Sequence, residues 1–144
     1  MEKLSRRSFA TFAALGVAAS VLALTTPAEA APASIGAGRV QLCAQGNYTS
    51  SLTFHSLGLA PPGFPTTWYS ADVAAGSCQT FDVPKDWPGD VEITVNGKFN
   101  SSGTTFPVGG YNSTFTVPPT AGGWKVFTRG TTANGGAEAY WLFG

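Results

Sequence analysis

Residues 124–143, WKVFTRGTTANGGAEAYWLF, place two runs of alternating apolar and polar residues on either side of a glycine-rich turn. This alternation is typical of β-strands with one buried face, so the stretch predicts a β-hairpin. Pairing Arg129 with Glu138 also sets Phe127 opposite Tyr140, which specifies a register. The large apolar side chains then share one face, which we expect to be the core side: Trp124, Val126, Trp141 and Phe143.

The chain before this hairpin repeats the strand-and-turn spacing. Strands are predicted over 39–44, 48–57, 68–73 and 77–83, and further hairpins over 91–99 and 106–117. The first of these hairpins turns at Asn96-Gly97, and a bulged three-residue turn there buries Phe99 better than a two-residue turn. The second turns at Gly109-Gly110. Because no amphipathic helix is visible after residue 30, we predict a single all-β antiparallel sandwich of about seven strands over 39–144.

The first thirty residues have the pattern of an export signal. A basic segment is followed by an apolar run and by the small residues Ala28 and Ala30, so cleavage is expected between Ala30 and Ala31. Arg6 and Arg7 lie in the sequence SRRSF, which looks like the core of bacterial twin-arginine signals; an ordinary secretory signal is the alternative. Residues 31–38 are small and rich in glycine and proline, which predicts a flexible leader. We therefore expect a secreted protein.

Charge and hydropathy limit the partners of the mature chain. Residues 31–144 contain five basic and six acidic residues and no basic cluster, which argues against nucleic acid. No apolar run after the signal is long enough to span a bilayer. No motif indicates a cofactor.

Cys43 and Cys78 are the only cysteines of the chain. An exported chain with two cysteines has one possible intramolecular pairing, so we expect a Cys43–Cys78 disulfide. In the chain-entropy description, closing a loop of this length stabilises the fold by roughly 3–4 kcal/mol.

The sequence lacks the residue sets of common catalytic and metal sites. His55 is the only histidine, it is expected on an outward strand face, and no motif supplies it with a nucleophile. Asp82, Asp86 and Asp90 recur every four residues, but they lie beside proline and glycine without a calcium-loop pattern. We therefore expect a non-enzymatic protein without a bound metal.

The export signal, two cysteines, glycine-rich hairpins and aromatic last strand together resemble the small exported proteins of unknown function that are frequent in actinobacteria. Three short segments, 48–49, 76–78 and 87–89, are also similar to the opening of thaumatin-like β-sandwich proteins. That family's dense cysteine framework and acidic cleft are missing, so its residues are not carried over.

Sixteen aromatic residues follow Ala30, more than a small core needs. This excess favours a secreted binding module for a glycan or another extracellular polymer. The alternative is an inhibitor of a secreted hydrolase, suggested by the proline-stiffened loop 58–67. The candidate ligand-binding residues are Phe127, Tyr140, Lys125 and Arg129 on the outward face of the last hairpin, with Phe64, Trp68, Tyr69 and Trp87. The partner is thus expected to be an extracellular polysaccharide or a secreted protein.

Overall fold

The computed structural model describes residues 34–144, which form two β-sheets packed on one another. The predicted export signal with Arg6 and Arg7, and the cleavage site between Ala30 and Ala31, lie outside the described residues. Within residues 34–144 there are nine strands and two 3-10 turns, Gly110–Asn112 and Ala133–Gly136. The strands are β1 (Arg39–Ala44), β2 (Thr49–Ser56), β3 (Thr67–Tyr69), β4 (Cys78–Asp82), β5 (Val91–Lys98), β6 (Thr105–Pro107), β7 (Thr114–Val117), β8 (Trp124–Arg129) and β9 (Tyr140–Phe143).

One sheet has four strands in the order β4-β1-β8-β9. The other has five: β3, β2 and β5 in that order, with β6 and β7 both on the far edge of β5. The predicted all-β sandwich is confirmed. All named pairs are antiparallel except β1 and β8, which run parallel, a long-range pairing that no local sequence signal marks. Nowhere in 34–144 does a helix have the length and apolar composition needed to cross a membrane.

The core lies between the two sheets. Strands β2 and β5 alternate buried and more exposed residues along almost their whole length. Leu52, Phe54 and Ile93 from the five-stranded sheet meet Leu42 and Val126 from the four-stranded sheet, and all five are fully buried. Burying a side chain of this size stabilises the fold by about 1.5–3 kcal/mol. The intervening residues of β2 and β5 consequently line the outer face of their sheet.

The hairpin predicted over 91–99 is wrong. Strand β5 runs unbroken through Asn96 and Gly97 and pairs with β2 along its entire length. A Cβ atom on Gly97 would lie 2.6 Å from Cζ of Phe106 and 2.9 Å from Cδ2 of Tyr48. Glycine is therefore needed here because two aromatic rings pack against the strand, and not because the chain turns.

The chain reverses after β5, in residues 99–104, and then returns along the same edge of that strand. Strand β6 pairs with residues 96–98 of β5 and strand β7 with residues 91–94. The hairpin predicted between them at Gly109-Gly110 is thus wrong, because this segment links two strands that lie end to end. Phe106, Val108 and Val117 are buried, whereas Tyr111 is fully exposed.

Strands β8 and β9 form the predicted last hairpin, but their register differs by two residues. Arg129 pairs with Tyr140, and Phe127 pairs with Leu142. The even shift leaves every residue on its predicted face. The reason for the shift is Glu138, whose carboxylate accepts hydrogen bonds from the Thr131 hydroxyl at 3.1 Å and the Asn134 side-chain amide at 2.6 Å. These bonds close the 3-10 turn before β9 begins.

Cys43 and Cys78 occupy facing positions on β1 and β4 and form the predicted disulfide. The bond lies on the outer face of the four-stranded sheet, since the neighbouring Leu42 points into the core.

Replacing Gly97 with alanine tests its packing role. We expect Gly97→Ala to lower the free energy of unfolding by about 1–3 kcal/mol, because the new methyl group overlaps the rings of Tyr48 and Phe106. Urea denaturation followed by tryptophan fluorescence measures the loss. Gly122→Ala is the matched control. A Cβ atom added at Gly122 would have no heavy atom within 4 Å, so this variant should be as stable as wild type. Equal stability of the two variants would contradict the packing role.

The disulfide should stabilise a fold that forms without it. We expect the Cys43→Ala/Cys78→Ala variant to lose about 3 kcal/mol and to keep its near-ultraviolet circular dichroism at 25 °C. Wild-type protein under reducing conditions should melt at the same temperature as the variant. A double variant that is unfolded at 25 °C would show that the sheets depend on the covalent bond.

Candidate functional site

A concavity of about 470 Å³ lies on the outer face of the five-stranded sheet. We call it the Tyr69 concavity. Its lining is polar except for one aromatic ring, and it draws on β2, β3, β5, β6 and the segment after β3. The lining residues are Ser51, Thr53, Tyr69, Ser70, Asp72, Asn96, Lys98 and Thr105.

Side chains on β2 and β5 alternate between the core and the outer face of the sheet, and the outward ones form the floor of the concavity. Leu52 points into the core, so Ser51 and Thr53 point outward. Val95 is likewise buried, and Asn96 and Lys98 therefore share the outer face. The register between the strands places Ser51 directly opposite Asn96. These residues meet only because β5 continues straight through the predicted turn.

A β-bulge after β3 shapes the rim. Thr53 pairs with Tyr69, and Ser50 pairs with Val73 in an isolated bridge. Between these two pairings the edge segment has one residue more than β2, which defines a bulge. The bulge leaves a gap in the backbone pairing, and there the Ser70 hydroxyl accepts a hydrogen bond from the Leu52 N–H at 2.8 Å. Bulges change the direction of nearby side chains, and Asp72 is part of this one.

Asp72 and Lys98 form an ion pair across the concavity. Both side chains are partly exposed, so the pair contributes little to stability. The pair can instead contribute to ligand recognition, because it holds a carboxylate acceptor and an ammonium donor side by side in a concavity whose other lining residues are uncharged.

The side-chain carbonyl of Asn96 adds a hydrogen-bond acceptor whose orientation is fixed. The Nδ2 atom of this residue donates to the Thr53 hydroxyl at 2.9 Å, which fixes the orientation of the side-chain amide. Within residues 34–144 no hydrogen bond uses Oδ1 of Asn96 or the hydroxyl groups of Ser51, Thr105 and Tyr69. The concavity thus presents hydrogen-bonding groups that are available to a ligand.

Tyr69 supplies the apolar surface. It is 71% exposed, and it points outward because the preceding Trp68 faces the core side of the same strand. An exposed ring beside oriented polar groups matches the two needs of a sugar ring, which has apolar C–H faces and a polar rim.

The outward face of the last hairpin carries the predicted ligand-binding residues Phe127, Tyr140, Lys125 and Arg129. The Phe127 ring is half-buried, with Lys125 Nζ 5.0 Å and Arg129 Cζ 5.8 Å from its centroid. The backbone of Gly144 also packs against this ring. Tyr140 is 48% exposed and pairs with Arg129. The protein's own groups therefore already contact the ring that a sugar would stack on.

The other predicted aromatic residues lie in or against the core. Trp68 packs between Phe54 and Phe81, with centroids 5.0 Å and 6.3 Å away, and is 40% exposed. Phe64 packs against the core, and Trp87 is a core residue with 8% exposure. Tyr69 is thus the one predicted residue in the concavity. The polar residues around Tyr69 were not predicted from the sequence. However, polar residues alternate with apolar residues and Gly97 along β5, at Glu92, Thr94, Asn96 and Lys98, and this alternation indicates a continuous strand.

The other charged groups of residues 34–144 do not line the Tyr69 concavity. His55 is exposed as predicted, with Nδ1 3.1 Å from the Thr67 hydroxyl. Asp82 is paired with Arg39 at 3.0 Å. Among the residues that the structure describes, no three His, Cys, Asp or Glu side chains come close enough to hold a metal ion.

No protein-family model and no curated protein matches the chain. Part of the fold is similar to solved bacterial cytolysins. A disulfide-locked intermedilysin with human CD59 is 14% identical, with a TM-score of 0.43 over 74% of this chain and 24% of that one. Listeriolysin O is 11% identical, with a TM-score of 0.42 over 74% and 22%. Suilysin from Streptococcus suis is 15% identical, with a TM-score of 0.41 over 75% and 23%. The chain spans about a quarter of the length of these proteins, and so distant a likeness bears on neither ligand nor activity.

Proposed function

We propose that this protein is a secreted, non-enzymatic binding module for a neutral glycan, which it holds in the Tyr69 concavity. The observation that carries the proposal is the exposed Tyr69 ring beside oriented and unoccupied hydrogen-bonding groups. The volume of about 470 Å³ lies in the range of small-molecule sites. The export signal expected from the sequence supports secretion, and the disulfide is compatible with an extracellular location.

The charge of the concavity favours a neutral ligand. Its one ammonium group, on Lys98, is paired with the Asp72 carboxylate, so it presents no net charge to an anionic polymer. A donor and an acceptor held side by side suit two adjacent hydroxyl groups of a pyranose ring. The Asn96 carbonyl and the Ser51 hydroxyl can each bond a further hydroxyl group. The Tyr69 ring then covers the apolar face of the sugar.

The proposal is tested by affinity electrophoresis and pull-down on neutral polysaccharides, namely cellulose, xylan, chitin, starch and β-1,3-glucan, with pectate as an acidic control. We expect binding to at least one neutral polymer that persists in 1 M NaCl, because an uncharged ligand is insensitive to screening. Tyr69→Ala should weaken binding at least tenfold, or about 1.4 kcal/mol. Its stability should change by less than about 0.5 kcal/mol, because the ring is exposed.

Tyr111→Ala is the matched control, since it removes a fully exposed tyrosine ring outside the concavity. It should bind like wild type. Binding to none of the neutral polymers, binding to pectate alone, or an equal loss in both tyrosine variants would contradict the proposal.

A further inference from the structure

The loop between β2 and β3, residues 57–66, presents an apolar side chain to solvent. Leu59 is 99% exposed, and the prolines that follow it, Pro61 and Pro62, are exposed as well. An isolated surface leucine needs no explanation. Here, however, the surrounding loop is held rigidly in the conformation that exposes it.

Hydrogen bonds fix both ends of the loop. The Ser56 N–H donates to the Thr66 carbonyl at 2.8 Å, and the Leu57 N–H donates to the Asp90 carbonyl at 2.9 Å. The Ser56 hydroxyl adds a bond to the Pro88 carbonyl at 2.9 Å. The loop is therefore joined across its base and to the neighbouring segment 83–90.

Packing fixes the middle of the loop. Gly58 lies so close to the Pro88 carbonyl that a Cβ atom would overlap it, and Phe64 packs against the core. A turn through Pro62 and Gly63 is closed by the Phe64 N–H, which donates to the Pro61 carbonyl at 3.1 Å. Gly63 has φ +84°, a conformation that glycine adopts without strain.

The peptide groups at the tip are free. Within the described part of the chain, no hydrogen bond uses the main-chain N–H or C=O of Leu59 or Ala60. A rigid segment with one protruding apolar side chain and unpaired peptide groups has the features of a substrate bound in a peptidase cleft. There an extended segment makes main-chain hydrogen bonds while one side chain enters a pocket.

We propose that this loop inserts Leu59 into the specificity pocket of a secreted endopeptidase and thereby inhibits it. Burying the leucine favours the complex, and main-chain hydrogen bonds add to it. The fixed loop also avoids the ordering cost that a flexible peptide bears on binding. The hydrogen bonds of Ser56 and Leu57 hold the segment before the Leu59–Ala60 peptide bond, and the core packing of Phe64 and the Ser56–Thr66 bond hold the segment after it. Cleavage would therefore not release the segments, and the loop acts as an inhibitor.

A membrane is a poorer partner for this loop. The two exposed leucines of the loop, Leu57 and Leu59, bury too little apolar area for stable membrane attachment, which requires a large apolar face or two anchoring signals. The neighbouring segment 83–90 also carries two exposed carboxylates, Asp86 and Asp90, against one exposed ammonium group, Lys85, and this net negative charge disfavours anionic lipid.

The inhibitory loop and the Tyr69 concavity use different residues. Tyr69 on β3 is three residues from Thr66 at the loop base, or roughly 10 Å along a strand. Variants of one site should therefore leave the other intact.

The test measures the inhibition of subtilisin and chymotrypsin, which accept large apolar side chains, with trypsin as the basic-specific control. Wild type should inhibit at least one of the first two and leave trypsin unaffected. Leu59→Lys should weaken that inhibition at least tenfold and create inhibition of trypsin, whereas Leu57→Lys in the same loop should behave like wild type. Tyr69→Ala should inhibit normally, which separates failure of this proposal from failure of glycan binding.

Three results would overturn the proposal. Wild type inhibits neither apolar-specific enzyme, or it is cleaved at the Leu59–Ala60 bond as fast as a linear peptide, or Leu59→Lys and Leu57→Lys lose inhibition equally. Flotation with phosphatidylcholine vesicles supplies a fourth: binding by wild type that Leu59→Lys abolishes would assign the loop to a lipid surface. Both lysine variants change exposed positions, and equal melting temperatures confirm that each is folded.

Discussion

The packing of two aromatic rings against Gly97 is the contact on which the architecture depends. Because no side chain stands at this position, Tyr48 and Phe106 lie on the inner face of β5 while the strand continues to Lys98. The continuous strand pairs with β2 along its length and carries both β6 and β7 on its other edge. It also brings Asn96 and Lys98 beside the outward residues of β2. The glycine that allows the core to close thus also creates the polar outer face.

Polar contacts inside the sandwich hold the two sheets in a fixed relation. The Tyr48 hydroxyl donates to the Arg129 carbonyl at 2.9 Å, and burial raises the pKa of Tyr48 to about 12. The hydroxyl groups of Ser50 and Thr128, both buried, lie 2.7 Å apart and form a second link between the sheets. Buried hydroxyl groups must find partners, so these pairs favour one alignment of the sheets over others. Ser50 belongs to the strand that forms the floor of the Tyr69 concavity.

The alternation of apolar and polar residues predicted most of the inward-facing side chains and the pairing of β8 with β9, but not the other strand pairings, the exact registers or where the strands end. The faces of β8 and β9 follow from single residues, whereas their register is set by Glu138, which caps a turn instead of pairing with Arg129. Asn96-Gly97 is a strong local turn signal, and tertiary packing overrides it. The bulge after β3 had no sequence signal, because a serine hydroxyl takes the place of a main-chain carbonyl. Tyr69 was therefore predicted as a ligand contact, while the residues around it were not.

In the proposed function, the unbroken β5 strand makes the outer face of the five-stranded sheet the glycan site. Amide chemical-shift mapping with a soluble oligosaccharide, taken from the polymer that binds best, locates the bound sugar residue by residue. We expect the largest shifts on Ser51, Tyr69, Asn96 and Lys98, on adjoining strands of one sheet. Shifts centred on Phe127 and Tyr140, on the outer face of the four-stranded sheet, would contradict it.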